Sequence, residues 1–216
     1  AEGNHGNGMY VIDLETFRTW PLHTGAFSYT QMEWSTKNNH IAVLFGSKAD
    51  DDMETQNSLF YTTNLTPGMA KIETEATYST EKESDFLQEM VISEYNDLTW
   101  NDAGTQLYLG VKKQQEKLKK EDSLTANVDV WHWKDERAQS LQMVQADRDK
   151  KKTFGAVFNL ENKKLVLLEN EDMTSVAINK KNKWAVGSLD TNYRNDVNIP
   201  SGYADLYSIN TETGEK

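Results

Sequence analysis

Apolar and polar positions alternate along this chain in short runs, and each run is cut by a polar or glycine-containing turn. Met9-Tyr10-Val11-Ile12-Asp13-Leu14 and Phe17-Arg18-Thr19-Trp20-Pro21-Leu22 flank Glu15-Thr16. Leu59-Phe60-Tyr61-Thr62-Thr63 precedes Pro67-Gly68 and then Met69-Ala70-Lys71-Ile72. Phe154-Gly155-Ala156-Val157-Phe158-Asn159-Leu160 leads through Glu161-Asn162 to Lys163-Lys164-Leu165-Val166-Leu167-Leu168, and Ala204-Asp205-Leu206-Tyr207-Ser208-Ile209 ends at Asn210-Thr211-Glu212-Thr213-Gly214. Aromatic and β-branched residues fit a pleated strand, whereas Asn, Asp, Gly and Pro fit tight turns, so these segments predict hairpins.

A second element lies upstream of several hairpins. It runs from Met32 through Trp34, Asn38 and His40 to Gly46, recurs from Leu98 through Trp100 and Gly104 to Gly110, and returns more weakly from Val176 through Ile178 and Asn182 to Gly187. In each copy a large apolar residue is followed four positions later by Asn38, Gly104 or Asn182, residue types that tolerate a left-handed turn. Strand, turn, strand and a further hairpin make four antiparallel strands, the composition of a propeller blade. A plain β-sandwich with similar hairpins is the other reading.

The copies are unevenly spaced: 66 residues separate Trp34 from Trp100, and 78 separate Trp100 from Ile178. Blades run to about 40–50 residues, so insertions are expected at Asp50 to Gln56, Thr77 to Glu89, Lys112 to Ala126 and Thr191 to Gly202. The segment from Lys112 to Ala126 has few apolar anchors and predicts a solvated loop or a short helix. The fold class predicted is all-β, a β-propeller segment of about three to four antiparallel blades forming an incomplete ring. Residues 1–216 make one fragment, with blade-like units at approximately 1–25, 26–76, 88–170 and 174–216. Exposed blade edges invite self-association or a covering partner segment.

Composition narrows the function. A net charge of −11 is unsuited to nucleic acid, which is bound through clustered Lys and Arg. Cysteine is absent, which removes disulfides, thiolate catalysis and thiolate-held metals. No run reaches the roughly 18 apolar residues of a membrane span. Ala1-Glu2-Gly3-Asn4-His5 lacks the basic start and apolar middle of a signal peptide, and without an initial Met the chain is expected to be a piece of a larger protein.

The chain shows no complete catalytic motif. There is no Gly-x-Ser-x-Gly elbow; Gly46-Ser47 and Gly187-Ser188 lack the second glycine and fall at strand ends. His5, His23, His40 and His132 share no His-x-x-x-His or His-Glu-x-x-His spacing. Asp50-Asp51-Asp52 lacks the alternating ligands and later Glu of a calcium loop, and Gly3, Gly6 and Gly8 neither follow a strand nor open a helix. No catalytic, cofactor-binding or metal-binding residue is therefore assigned, and no cofactor is expected. Trp131 and Trp133 are expected on one face of a strand with His132 on the other, and Trp34 and Trp100 are expected to pack between blades.

The element around Trp34 resembles the repeat of propellers of the TolB type and of the prolyl oligopeptidase family, roughly Trp-Ser-Pro-Asp-Gly-x-x-Ile-Ala-Phe. Thr36, Lys37 and Asn38 replace its Pro, Asp and Gly, while the second copy has Asp102 and Gly104. Val128-Asp129-Val130-Trp131-His132-Trp133-Lys134-Asp135, Gln142-Met143-Val144-Gln145-Ala146-Asp147-Arg148-Asp149 and Glu171-Asp172-Met173 resemble the propeller of prolyl-oligopeptidase-family serine peptidases from Bacteroidetes-type bacteria. In that family an N-terminal propeller caps an α/β-hydrolase domain and admits short or unfolded peptides. The resemblance implies a non-catalytic propeller segment that gates peptide access to a hydrolase domain outside this chain. It also implies periplasmic or extracellular placement. Neither the triad nor a substrate-binding glutamate can be carried over, because no residue here matches those motifs. A TolB-like propeller that binds a protein partner is the alternative, and a sugar- or metal-dependent propeller enzyme is a third reading.

Overall fold

The computed structural model describes residues 6–35, 37–63, 65, 75–79, 89–115, 117, 131–132, 135, 137–173, 175–193 and 203–216. Among them the strands are β1 (Gly8–Ile12), β2 (Thr19–Thr24), β3 (Ser28–Ser35), β4 (His40–Ser47), β5 (Gln56–Thr62), β6 (Glu75–Tyr78) and β7 (Met90–Ser93). They continue with β8 (Thr99–Trp100), β9 (Gln106–Lys113), β10 (Phe154–Asn159), β11 (Lys164–Leu167), β12 (Ser175–Ile178), β13 (Trp184–Leu189) and β14 (Asp205–Asn210). A single helix among the described residues, α1 (Gln139–Asp149), interrupts them. The fold is all-β and every described pairing is antiparallel.

The strands follow one another as meanders. A first sheet pairs β1 with β2. A second runs β3-β4-β5-β6. In a third, β7 and β8 lie in succession along β9, which continues to β10 and β11. A fourth is β12-β13-β14. The second and third sheets join in one hydrogen-bonded path through a single pair, Asn57 opposite Ile92. The Asn57 side chain donates to the Ile92 carbonyl at 2.9 Å and holds that seam.

The middle sheets are apolar on both faces, which is why consecutive apolar runs replace simple alternation in β4 and β9. On β4 and β5, Ile41, Val43, Phe45 and Phe60 pack with Leu22 of the first sheet. Their neighbours Ala42, Leu44, Leu59 and Tyr61 turn the other way and meet Ile92, Trp100, Leu107, Leu109, Val111, Ala156 and Phe158 of the third sheet. On the far side of that sheet, Tyr108 and Val157 pack with Met173, Ala185 and Ile209 against the fourth. Three cores thus separate four sheets taken in chain order. Gly187 permits the last contact, since a Cβ there would lie 2.3 Å from the Met173 sulfur.

Several expectations are corrected by this packing. Trp100 is buried, but Trp34 is 47% exposed and does not fill a core. The left-handed residue in the first repeat turn is Asn39 (φ 52°), not Asn38, and Asn182 of the third copy is not left-handed. Asn38 is instead held by its side chain, donating to the Asp102 carbonyl at 3.2 Å. Gly104 does adopt a positive φ of 70°. His40 opens β4 and is buried. Trp131 and His132 lie outside any described strand, and Trp131 is 69% exposed. Gln142–Asp149, one of the segments that carry the family resemblance, belongs to α1. Trp133, Met69–Ile72 and most of Lys112 to Ala126 lie outside the described residues.

Two outcomes test the junction between the second and third sheets. Phe158, 1% exposed and flanked by Tyr61 and Tyr78 with ring centroids at 5.4 and 4.6 Å, is the largest fully buried side chain of this core. Phe158→Ala is expected to lower unfolding free energy by about 3–5 kcal/mol in urea titrations. His40, whose ring meets Trp100 at 5.4 Å, has its pKa pushed below 6.5 by burial, partly opposed by a hydrogen bond with the Asn39 backbone. A depressed histidine pKa favours the neutral form in the fold. Its contribution is therefore complete above the unfolded value of 6.5 and is lost as pH falls below it. The urea midpoint should decline from pH 7.5 to 5 more steeply in the wild type than in His40→Gln, and equal slopes would remove this role.

Candidate interaction rim

In the second, third and fourth sheets a connection of variable length joins two paired strands. β4 to β5 spans 48–55, β9 to β10 spans 114–153, and β13 to β14 spans 190–204. Antiparallel order puts these connections, and the passages from one sheet to the next, on one rim of the stack. The opposite rim carries tight turns at 37–39, 101–105 and 179–183, together with the connection from β5 to β6. Those turns lock together. Lys37 pairs with Asp102 at 2.9 Å, and the Asp102 N–H donates to the Lys180 carbonyl at 2.8 Å. The Lys37 hydrogen bond, with that ion pair, holds the Asp102 carboxyl below its usual range. Just inside this rim, the Gln106 amide donates to Asn159 Oδ1 at 2.7 Å and Thr211 Oγ1 at 3.1 Å, joining the third and fourth sheets.

The long-connection rim is strapped by charge. Lys112 Nζ, on β9, donates to Glu54 and to the Lys150 carbonyl. The two side chains are only 15% and 10% exposed. Gln114 makes two 3.1 Å bonds to the Glu54 backbone, and the Met53 N–H donates to the Gln115 carbonyl at 2.8 Å. The Tyr95 ring lies 5.6 Å from Lys112 Nζ and 5.9 Å from Lys151 Nζ. Burial, then the charges of Glu54 and Glu94, raise the Tyr95 pKa. Between the third and fourth sheets Glu169 accepts from the Gly155 N–H at 2.7 Å and the Val176 N–H at 3.0 Å.

Beside this strap a cavity of about 470 Å³ opens on the same rim. Met90, Phe154 and Leu167 supply its apolar lining, and Glu89, Asn170, Glu171 and Asp172 its polar one. Among the described lining residues the one cation, Lys113, pairs with Glu89 at 3.0 Å. Three carboxylates against one ammonium suit an apolar or cationic group better than an anion. Among the described residues no nucleophile–base pair lines it. α1 lies in the 114–153 connection with no buried residue, Met143 and Val144 being 61% and 82% exposed.

The candidate residues of the sequence are dispersed. His23 sits in β2 among Phe27, Tyr29, Phe45 and Phe60, with Nδ1 2.9 Å from the Tyr29 hydroxyl. His40 is in the junction core, His132 is exposed, and His5 is outside the described residues. Gly46 and Gly187 lie within strands, and Asp50-Asp51-Asp52 occupies the 48–55 connection. Among the described residues no group of three or more His, Asp or Glu is placed to hold a metal ion. None of their helices is long and apolar enough to cross a membrane. Glu54, Lys112 and Glu169 carry no sequence signal, because each acts through a partner distant in the chain.

Removing one side of the strap exposes its cost. Glu54→Ala leaves the Lys112 ammonium semi-buried without its counter-charge and should lose about 3 kcal/mol of stability. The double variant Glu54→Leu/Lys112→Met should recover most of that loss in a double-mutant cycle.

No protein-family model matches the chain, and no curated protein matches it. Among solved structures, the crystal structure of the tricorn protease is similar over 96% of this chain at 10% sequence identity, with a TM-score of 0.32. The chain spans 24% of that protein's length.

Proposed function

We propose that this chain is a non-catalytic propeller segment of a prolyl-oligopeptidase-like serine peptidase, gating the access of peptides to an α/β-hydrolase domain outside this chain. The observation that carries the reading is that the 48–55, 114–153 and 190–204 connections share one rim with the acidic and apolar cavity. A propeller that caps a hydrolase presents one rim to it, and a narrow rim admits extended peptides while excluding folded proteins and bulk water. The sequence resemblance supplies the family, and the face-to-face order of four antiparallel meanders agrees with blades. Periplasmic or extracellular placement belongs to the same proposal. The exposed Met143 and Val144 of α1 favour a second reading, a module whose rim binds a protein partner.

The isolated chain should neither cleave peptides nor react with a serine-directed probe, while the encoding reading frame should continue into a Gly-x-Ser-x-Gly segment. In that parent enzyme, deleting 191–202 should relax the limit on peptide length. Labelling of this chain would sink the non-catalytic reading. A frame without the serine motif would leave the protein-binding module in its place.

A further inference from the structure

The core between the second and third sheets is open at the long-connection rim. Met90, Phe154 and Leu167 are its partly buried fringe, and the 470 Å³ cavity opens on them. Apolar cavities of about 300–1,000 Å³ with a few placed polar groups are the usual form of a ligand site. Lys113 lies two residues beyond Val111 of this core, on the same face of β9, and reaches the cavity edge. The two members of its ion pair with Glu89 are 63 and 70% exposed, so water screens the pair and a competing charge displaces it readily.

One wall of the cavity is a preformed turn. Glu169 is fixed at its start by the Gly155 and Val176 N–H groups. At its end Met173, 2% exposed, is fixed in the core between the third and fourth sheets. The Asn170 N–H donates to the Met173 carbonyl at 3.0 Å, and the Met173 N–H donates to Asn170 Oδ1 at 2.7 Å. Glu171 and Asp172 are exposed between these anchors, and among the described residues no cation pairs with either. Carboxylates held in place beforehand lose little freedom when a ligand arrives.

We infer that this cavity binds the basic side chain of an extended peptide, with its aliphatic stem on Met90, Phe154 and Leu167 and its cationic head at Glu171 and Asp172. An apolar stem carrying a charged tip matches an apolar floor beside an acidic wall. Arginine suits it best, because the planar, weakly hydrated guanidinium pairs with carboxylates and stacks on an aromatic ring such as Phe154. The site needs only this chain, so it stands whether a hydrolase domain or a protein partner faces the rim.

NMR titration of the isotope-labelled full chain with acetyl-Ala-Ala-Arg-Ala-Ala-amide tests this. Its capped ends remove any recognition of a peptide terminus. The amides of Lys113, Glu171 and Met173 should shift saturably, and the same peptide with neutral citrulline for arginine should bind at least about tenfold more weakly. Glu171→Gln/Asp172→Asn should weaken arginine binding by a similar factor. Glu15→Gln/Glu161→Gln removes the same charge from exposed hairpin turns on the opposite rim and should change it by less than about twofold. The same spectra report whether each variant is folded, and Glu171→Gln alone replaces the first pair if it is not. No saturable shift up to about 5 mM peptide overturns the inference. Equal binding of the citrulline peptide does so too, as does equal weakening by both double variants, which would mean general attraction to a chain of net charge −11.

Discussion

Every described sheet in this molecule depends on having an apolar face pressed against the next. β4 and β9 carry runs of buried residues, not an in–out alternation, so neither could be stable with one face in water. Leu44 and Leu109 are buried by one neighbour while Val43 and Tyr108, one residue earlier on the same strands, are buried by the other. Each sheet is consequently a spacer between two cores. The helix is appended to the stack and buries none of its residues.

Hydrophobic faces alone leave the sliding of one sheet on another poorly determined, because burial is non-directional. Direction comes from polar groups at the rims. The Gln106, Asn159 and Thr211 side chains are all buried and bonded to one another across sheets, and a shift of one residue would leave them unpaired. Glu169 does the same on the opposite rim by accepting two backbone N–H groups from different sheets. The Glu54–Lys112 pair anchors the 48–55 connection to β9, and so ties the shape of the long-connection rim to the stack beneath it.

The hairpins were legible because each is local. The runs Met9–Leu14 and Phe154–Leu160 declare strands, and Gly104 declares its turn through a backbone angle that only glycine takes cheaply. The Trp34–Trp100 equivalence failed because the period of a repeat says which strand a residue occupies, not whether a neighbouring sheet covers that face. α1 was missed because its apolar residues form no stripe, and the helix buries none of them. The rim straps were illegible for a different reason: Glu54 and Lys112 lie 58 residues apart, and only the stacking of sheets brings them together.

The order of the sheets along the chain also governs how the molecule comes apart. Each core is shared only by sheets adjacent in sequence, so cohesion is a sum over nearest neighbours, as in a row of coupled units. Such a row loosens from its ends inward. Among the described sheets the first, two strands that share a single core, has the least to lose, whereas β9, buried on both sides, is gripped by two cores.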